Sequence, residues 1–388
     1  MSDFKFIDLF CGIGGFHAAM SQLGGECVFA ADIDDECRKV YQQNYGLEPH
    51  SDVSAVNEKK IPKHDVLCAG FPCQAFSKAG KQAGMNDPRG TLFFDIVRIA
   101  KHHRPKYMLL ENVRNLVGHD NGNTWRVIKA NLDGLGYDFS HEPIIFSPHN
   151  LGIPQFRERV FILCKRKDVK VGEVEFSQKR QRPTCDISRV IDESVADSRY
   201  AVSESEKAIL DIWNDFALHV NKPLPTFPVW TAEFEPENLK ADISAYPKWK
   251  RRIIEQNRAL WSENRAFLKG WYAKAKKNKN FAGAKAKFEW QVGDAHPEVW
   301  SHLIQFRPSG VRIKKATYFP ALVAITQTSI VGKLGRRITP KEAAALQSFP
   351  EDYQLHSVDR IAYKQLGNAV NVDVVKFFAK RLLGKEKG

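Results

Sequence analysis

The apolar run Asp65-Val66-Leu67-Cys68-Ala69 breaks off at Gly70-Phe71-Pro72-Cys73-Gln74-Ala75-Phe76-Ser77, and this corner constrains the chain more than any other stretch. A run so apolar reads as a strand buried on both faces, as central strands of a parallel sheet are. Pro72 fixes its own φ and drives Phe71 towards extended backbone, so Cys73 stands on a stiff strand exit. A thiolate presented in this way acts as a nucleophile without a neighbouring base in sequence. A free cysteine is more commonly a small buried apolar residue, so the corner alone leaves both readings open.

The alternation of strand and helix repeats along the first half. Phe4-Lys5-Phe6-Ile7-Asp8-Leu9-Phe10 reads as a strand, Cys11-Gly12-Ile13-Gly14-Gly15 as a tight turn, and residues 16–23 as a helix. Glycines there let the backbone approach a ligand closely, although a glycine turn by itself is more often only a turn. The next strand, Cys27-Val28-Phe29-Ala30-Ala31, ends in Asp32, where a carboxylate can accept from both hydroxyls of a ribose. Asp52-Val53 closes a further strand, with a turn cap as the equal alternative for Asp52.

Residues 92–100 carry apolar side chains at helical spacing, and Tyr107-Met108-Leu109-Leu110 is another buried strand with Glu111-Asn112-Val113 at its carboxyl end. Ligands bind at that edge of open α/β sheets, so Glu111 and Cys73 are expected to face one crevice. A helix over 123–135 and a strand over 138–146 follow. Arg157 and Arg159 then alternate with Glu158 before the strand Val160-Phe161-Ile162-Leu163-Cys164, which puts them on one face. A surface salt-bridge ladder is the plain alternative for that pair.

From residue 165 the composition turns basic and polar, and Trp213, Trp230, Trp249, Trp261, Trp271, Trp290 and Trp300 crowd into the stretch beyond. The expected division is a large domain over 1–182, a smaller one over 183–359 and a segment over 360–388 that returns to the first. Within the smaller domain, 247–274 reads as one long helix with Trp249, Ile253, Leu260, Phe267 and Trp271 on its apolar stripe. Lys274, Lys276, Lys277, Lys279, Lys285 and Lys287 extend a positive run; such runs are usually solvated, but phosphate contacts are the best use for so much charge. Thr339-Pro340 reads as a helix start and 372–383 as a closing helix.

At 388 residues, 43% hydrophobic and 27% charged, the chain has the make-up of a soluble globular protein. It has no uninterrupted apolar stretch of about 18 residues and no basic, apolar leader at Met1, so an intracellular protein is expected. Seven scattered cysteines without a Cys-x-x-Cys pair argue against a disulfide framework or a zinc site. A formal net charge of +13 asks for a polyanionic partner, with nucleic acid the first candidate.

Taken in order, Asp8-Leu9-Phe10-Cys11-Gly12-Ile13-Gly14-Gly15, Gly70-Phe71-Pro72-Cys73-Gln74, Glu111-Asn112-Val113, Gln155-Phe156-Arg157-Glu158-Arg159 and Gln365-Leu366-Gly367-Asn368 resemble the motifs of the cytosine-C5 DNA methyltransferases of bacterial restriction-modification systems. The resemblance spans 4–165 and 336–376. It implies an α/β fold: a Rossmann-like S-adenosylmethionine-dependent methyltransferase domain, a smaller mixed target-recognition domain, and a DNA cleft between them.

By the same resemblance the cofactor is S-adenosyl-L-methionine. Phe10, Gly12, Ile13 and Gly14 would line its methionine and ribose side, and Asp32 would take the ribose hydroxyls. Ile33 falls where relatives often carry an aromatic against the adenine, and Asp52-Val53 falls at the adenine amino group. Gly70, Leu92, Asn368, Ala369 and Val370 complete the implied cofactor set. Cys73 would attack carbon 6 of cytosine and Glu111 would engage ring nitrogen 3, with Arg157 and Arg159 in support; residues 79–90 would form a mobile lid.

Double-stranded DNA is the implied substrate of a monomeric cytoplasmic enzyme that meets the nucleoid through DNA, needs no metal and has a cognate restriction endonuclease. A tRNA cytosine-5 methyltransferase of the related family is the alternative, disfavoured by the large tryptophan- and lysine-rich insert. A DNA-binding protein without catalysis is disfavoured because Cys73, Glu111 and Arg157 are all present. Lys341 departs from the arginine frequent at its position.

Overall fold

The computed structural model describes residues 2–72, 92–140, 142–170, 183–322 and 328–385. The chain forms two compact units. The larger gathers Met1–Cys185, Pro320–Thr326 and Pro340–Gly388, and the smaller gathers Asp186–Phe319 and Gln327–Thr339. The chain thus touches the larger unit at Pro320–Thr326 and rejoins it from Pro340 to the end.

The larger unit runs β1 (Phe4–Leu9), α1 (Gly15–Ser21), β2 (Gly25–Ala31), α2 (Asp35–Tyr45), β3 (Val66–Gly70), α3 (Leu92–His103), β4 (Tyr107–Val113), α4 (Asn123–Gly134), β5 (Tyr137–Phe139), β6 (Ile144–Phe146), the short β7 (Gln155–Phe156) and β8 (Arg159–Arg166). Its sheet has the order β2-β1-β3-β4-β8-β5, with β6 also paired to β8. The first four strands are parallel and β8 is antiparallel to β4. The chain leaves β1 to one side to make β2 and resumes on the other side with β3. That reversal opens a crevice at the carboxyl ends of β1 and β3, where open α/β sheets hold ligands.

Val66, Leu67, Cys68 and Ala69 are fully buried, as a central strand covered on both faces requires. Two of the expected strands are corrected. The stretch 138–146 is divided into β5 and β6, which pair with successive parts of β8; Pro143, just before β6, has no amide to donate to a ladder. Asp52-Val53 ends no strand. Asp52 caps the 3-10 turn Val53–Ala55, its Oδ1 accepting from the Ser54 amide at 2.9 Å.

In the smaller unit a sheet joins, in spatial order, Arg336–Arg337, Ile330–Val331, Leu303–Arg307, Gly310–Lys314, Lys287–Gln291 and Val229–Trp230. Around it lie α5 (Glu204–His219), α6 (Pro236–Lys240), α7 (Lys248–Glu263) and α8 (Arg265–Ala275). Trp213, fully buried, stacks on Phe288 at 4.7 Å and lies 5.4 Å from Trp271, so these tryptophans form core.

The single helix expected over 247–274 is two helices broken at Asn264. There the side chain accepts from the Asn221 amide at 2.8 Å and donates to the Leu260 carbonyl at 3.0 Å. The buried residues are Ile254, Asn257 and Leu260 in α7 and Leu268, Trp271, Tyr272 and Ala275 in α8, while Trp249 is 62% exposed.

The chain re-enters the larger unit as α9 (Pro340–Leu346), α10 (Asp359–Asn368) and α11 (Val372–Leu382). Asn371 caps α11 by accepting from the Val374 amide, and Phe378 packs against Phe146 and Phe161 with ring centres 5.2 and 4.7 Å away. Among the described residues no helix is long and apolar enough to cross a membrane.

Candidate active site

A cavity of about 360 Å³ opens at the carboxyl ends of the parallel strands. Phe10 and Gly12 follow β1, Asp32 and Ile33 follow β2, Gly70 ends β3 and Glu111 lies near the end of β4; all six line it. Gly12 has φ +53°, and a Cβ there would project into open space. Its amide donates to Asp32 Oδ2 at 2.7 Å, and the Asp34 amide donates to Oδ1 at 2.8 Å. Burial raises the Asp32 carboxyl above its usual range, and those two amides partly offset the shift.

The wall at Asp52 and Val53 is secured from outside the cavity. Arg98 on α3 donates to the carbonyls of Val53 at 3.0 Å and Val56 at 2.9 Å, and pairs with Asp95 at 3.0 Å and Glu58 at 2.6 Å. Leu92, the first residue of α3, reaches the same cavity. Ile33 stands at the rim with 81% of its surface exposed.

The β3–β4 register sets Gly70 beside Glu111. Glu111 is 8% exposed, and its Oε1 lies 3.1 Å from Nε of Arg159. Burial raises its carboxyl above the usual range, against the pull of Arg159 and Arg157. Arg157 is more deeply buried and turns its two Nη groups to backbone, donating to the carbonyls of Leu322 at 3.2 Å and Ala369 at 3.0 Å. Burial, followed by repulsion from Arg159, brings its pKa down to about 9, so it remains a cation at neutral pH. Thus Arg159 meets the carboxylate directly, and Arg157 tethers Ala369, a cavity residue, instead.

Residues 4–384 match the model of the C-5 cytosine-specific DNA methylase family. The chain belongs to that family. It is a DNA (cytosine-5-)-methyltransferase with the two-domain fold of S-adenosylmethionine-dependent enzymes. It is 33% identical to the type II methyltransferase M.AluI of Cellulosimicrobium cellulans, over 99% of this chain and 92% of the relative. It is 31% identical to M.HhaI of Haemophilus parahaemolyticus, over 98% of this chain and 94% of that one. A crystal structure of a Spodoptera frugiperda DNMT2 mutant superposes with a TM-score of 0.57 at 20% identity, covering 98% of this chain and 99% of that one, which speaks to the fold alone.

In this methyltransferase the residues expected at the cofactor gather around the one cavity, with two exceptions. Phe10, Gly12, Asp32, Ile33, Asp52, Val53, Gly70, Leu92, Asn368, Ala369 and Val370 line it; Ile13 and Gly14 do not. Ile13 is 1% exposed, and the carbonyls of both residues are taken up by tyrosine hydroxyls, Tyr353 for Ile13 and Tyr45 for Gly14. Cys73 and the expected lid at 79–90 lie outside the described residues.

Sequence reasoning missed Cys11, Phe16, Ala31, Asp34, Cys37, Pro72 and Lys364 on the cavity wall. Lys364 pairs with Asp34 at 2.9 Å. Its signal was its place four residues before Asn368, which puts both on one face of a helix. Asn112 was also passed over: its side-chain amide donates to the Phe71 carbonyl, and its Oδ1 accepts from the Val113 amide.

Proposed function

We propose that this methyltransferase moves a methyl group from S-adenosyl-L-methionine to carbon 5 of a cytosine swung out of double-stranded DNA, at a short sequence read by the smaller unit. The observation that carries the reading is that a single cavity has Gly12 and Asp32 on one wall and the buried, arginine-paired Glu111 on another. Its volume suits a nucleoside-sized ligand. The open space over Gly12 admits close approach, and the Asp32 oxygens each hold one amide and keep lone pairs for two ribose hydroxyls.

When bound, S-adenosyl-L-methionine supplies an electrophilic methyl group on a sulfonium. On this reading Asp32 orients the ribose, Ile33, Asp52 and Val53 receive the adenine, and Phe10, Gly12, Gly70, Leu92, Asn368, Ala369 and Val370 close around the rest. Carbon 6 of a stacked cytosine is out of reach of any side chain, so the base leaves the duplex. The Cys73 thiolate adds to carbon 6, which makes carbon 5 nucleophilic. A proton held by Glu111 at ring nitrogen 3 lowers the cost of that addition, with Arg159 fixing the carboxyl. Carbon 5 takes the methyl group with the neutral thioether as leaving group; water then takes the carbon 5 proton, the bond from carbon 6 to sulfur breaks to release the thiolate, and the proton at ring nitrogen 3 returns to the Glu111 carboxylate.

Relatives of nearly the same extent are named type II methyltransferases, which supports a restriction-modification setting and a cognate endonuclease. Transfer of labelled methyl to mixed-sequence duplex DNA, run beside tRNA and followed by sequencing of the modified cytosines, tests the reading. Label at one short recurrent DNA motif is expected, and is lost in Cys73→Ala with cofactor binding kept; label only on tRNA would overturn the DNA assignment.

A further inference from the structure

We infer that Tyr45 and Tyr353 are positioning residues for the cofactor: their hydroxyl groups hold the glycine turn after β1 from the side away from the cavity and thereby set how tightly S-adenosyl-L-methionine binds. The inference rests on the cofactor reading above and deepens it.

The turn has two sides. Gly12 faces the cavity, whereas Ile13 and Gly14 face inward and present carbonyls to the protein. Tyr353 Oη donates to the Ile13 carbonyl at 2.5 Å, and Tyr45 Oη donates to the Gly14 carbonyl at 2.8 Å. Within the turn the Gly14 amide donates back to the Cys11 carbonyl at 2.8 Å. Gly14 has φ +80°, and a Cβ on it would stand 2.3 Å from the Tyr45 ring, so that ring is pressed against the turn.

The Tyr45 ring is itself fixed. His17 stacks on it at 3.8 Å with the planes 10° apart. Tyr353 is held at the end of α2 by a reciprocal pair: the Gln354 amide donates to Asn44 Oδ1 at 2.8 Å, and Asn44 Nδ2 donates to the Gln354 carbonyl at 2.9 Å. The fixed turn then aims the Gly12 amide at Asp32 Oδ2, 2.7 Å away. A continuous path of hydrogen bonds and peptide units therefore runs from the two hydroxyls to the carboxylate assigned to the ribose. One end of it comes from the segment between α9 and α10, so the C-terminal return contributes to cofactor affinity.

Tyr41 provides a matched control. It is fully buried in the same cluster, but its hydroxyl meets His17 Nδ1 at 2.7 Å and makes no bond to the turn. The test measures S-adenosylhomocysteine affinity by calorimetry, KM and kcat for methyl transfer to mixed-sequence duplex DNA, and Tm, for wild type, Tyr45→Phe, Tyr353→Phe, the double variant and Tyr41→Phe.

Each turn variant is expected to weaken S-adenosylhomocysteine about fivefold, the worth of one ordinary hydrogen bond, and the double variant further. KM for the methyl donor should rise more than kcat falls. Tyr41→Phe should lower Tm by a similar amount and leave the affinity alone. Unchanged affinity in both turn variants, or an equal loss in Tyr41→Phe, overturns the inference. A wild-type protein that binds no S-adenosylhomocysteine overturns the cofactor reading together with it.

Discussion

Asn112 Nδ2 donates to the backbone carbonyl of Phe71 over 2.8 Å, so the residue after Glu111 holds the strand exit that leads to Cys73. Asn112 is 2% exposed, and the carbonyl it serves belongs to a residue 3% exposed. Replacing it with alanine leaves a buried acceptor unmet, at a cost of about 1–3 kcal/mol. Asn112→Ala is expected to slow single-turnover methyl transfer at least tenfold, equivalent to about 1.4 kcal/mol at the barrier, with S-adenosylhomocysteine affinity preserved. Equal losses in rate and affinity would show that the amide merely stabilises the sheet.

Removing Glu111 should act on both chemistry and stability. Loss of a positioned proton donor costs about 10²–10⁴ in rate, so Glu111→Ala should lower kcat on duplex DNA within that range. The same change leaves Arg159 without its carboxylate and removes the negative charge near the buried Arg157, and breaking a buried pair costs about 3 kcal/mol. Urea denaturation should therefore show a reduced midpoint. A stable Glu111→Ala protein with near wild-type turnover would remove this residue from the mechanism.

The frame of this site was readable because it is local. Apolar runs of strand length end in Phe10, Asp32, Gly70 and Glu111, and a parallel sheet gathers the ends of such runs along one edge. What could not be read depends on partners distant in sequence. Ile13 and Gly14 match the expected motif, yet whether they face ligand or protein is decided by Tyr45 and by Tyr353, 340 residues from Ile13. Alternation put Arg157 and Arg159 on one face, but only the packed structure gives Arg157 the Ala369 carbonyl and Arg159 the carboxylate. Helical periodicity ran through Asn264, whose side chain breaks the helix by serving Asn221 from another element.

Two histidines, the buried His64 and the half-buried His17, are expected to set an acid limit on stability. Burial pushes both His17 and His64 down to about 4 from an ordinary 6.5. His64 Nδ1 meets the Pro62 carbonyl at 2.8 Å and is therefore the donor; Nε2 is buried without a partner among the described residues, and the His103 ring centre lies 4.7 Å from that of His64. A second proton has no acceptor there among the described residues. Because the folded pKa lies below the unfolded one, this stability is whole above about pH 6.5 and is lost as pH falls towards 4, by up to about 3 kcal/mol per histidine. Urea midpoints between pH 8 and 4.5 should fall in that window, and His64→Phe should flatten part of the slope. A profile that falls only below pH 4.5 would assign the acid limit to carboxylates.

The positive run after α8 should contribute to DNA binding through fewer charges than its sequence offers. Lys276 is already engaged: its Nζ pairs with Glu235 at 3.1 Å and lies 4.7 Å from the centre of the Tyr272 ring. Lys277 and Lys279 are exposed and make no ion pair among the described residues. Each phosphate neutralised by a lysine adds about 0.9 to the slope of log affinity against log salt. Replacing Lys276, Lys277 and Lys279 together by alanine should weaken binding to duplex DNA and reduce that slope by about 1.8, the share of two contacts rather than three. Lys276→Ala alone should leave the slope unchanged. A full three-contact reduction would mean that Lys276 leaves Glu235 for phosphate on binding, and no reduction at all would assign the whole run to solvent.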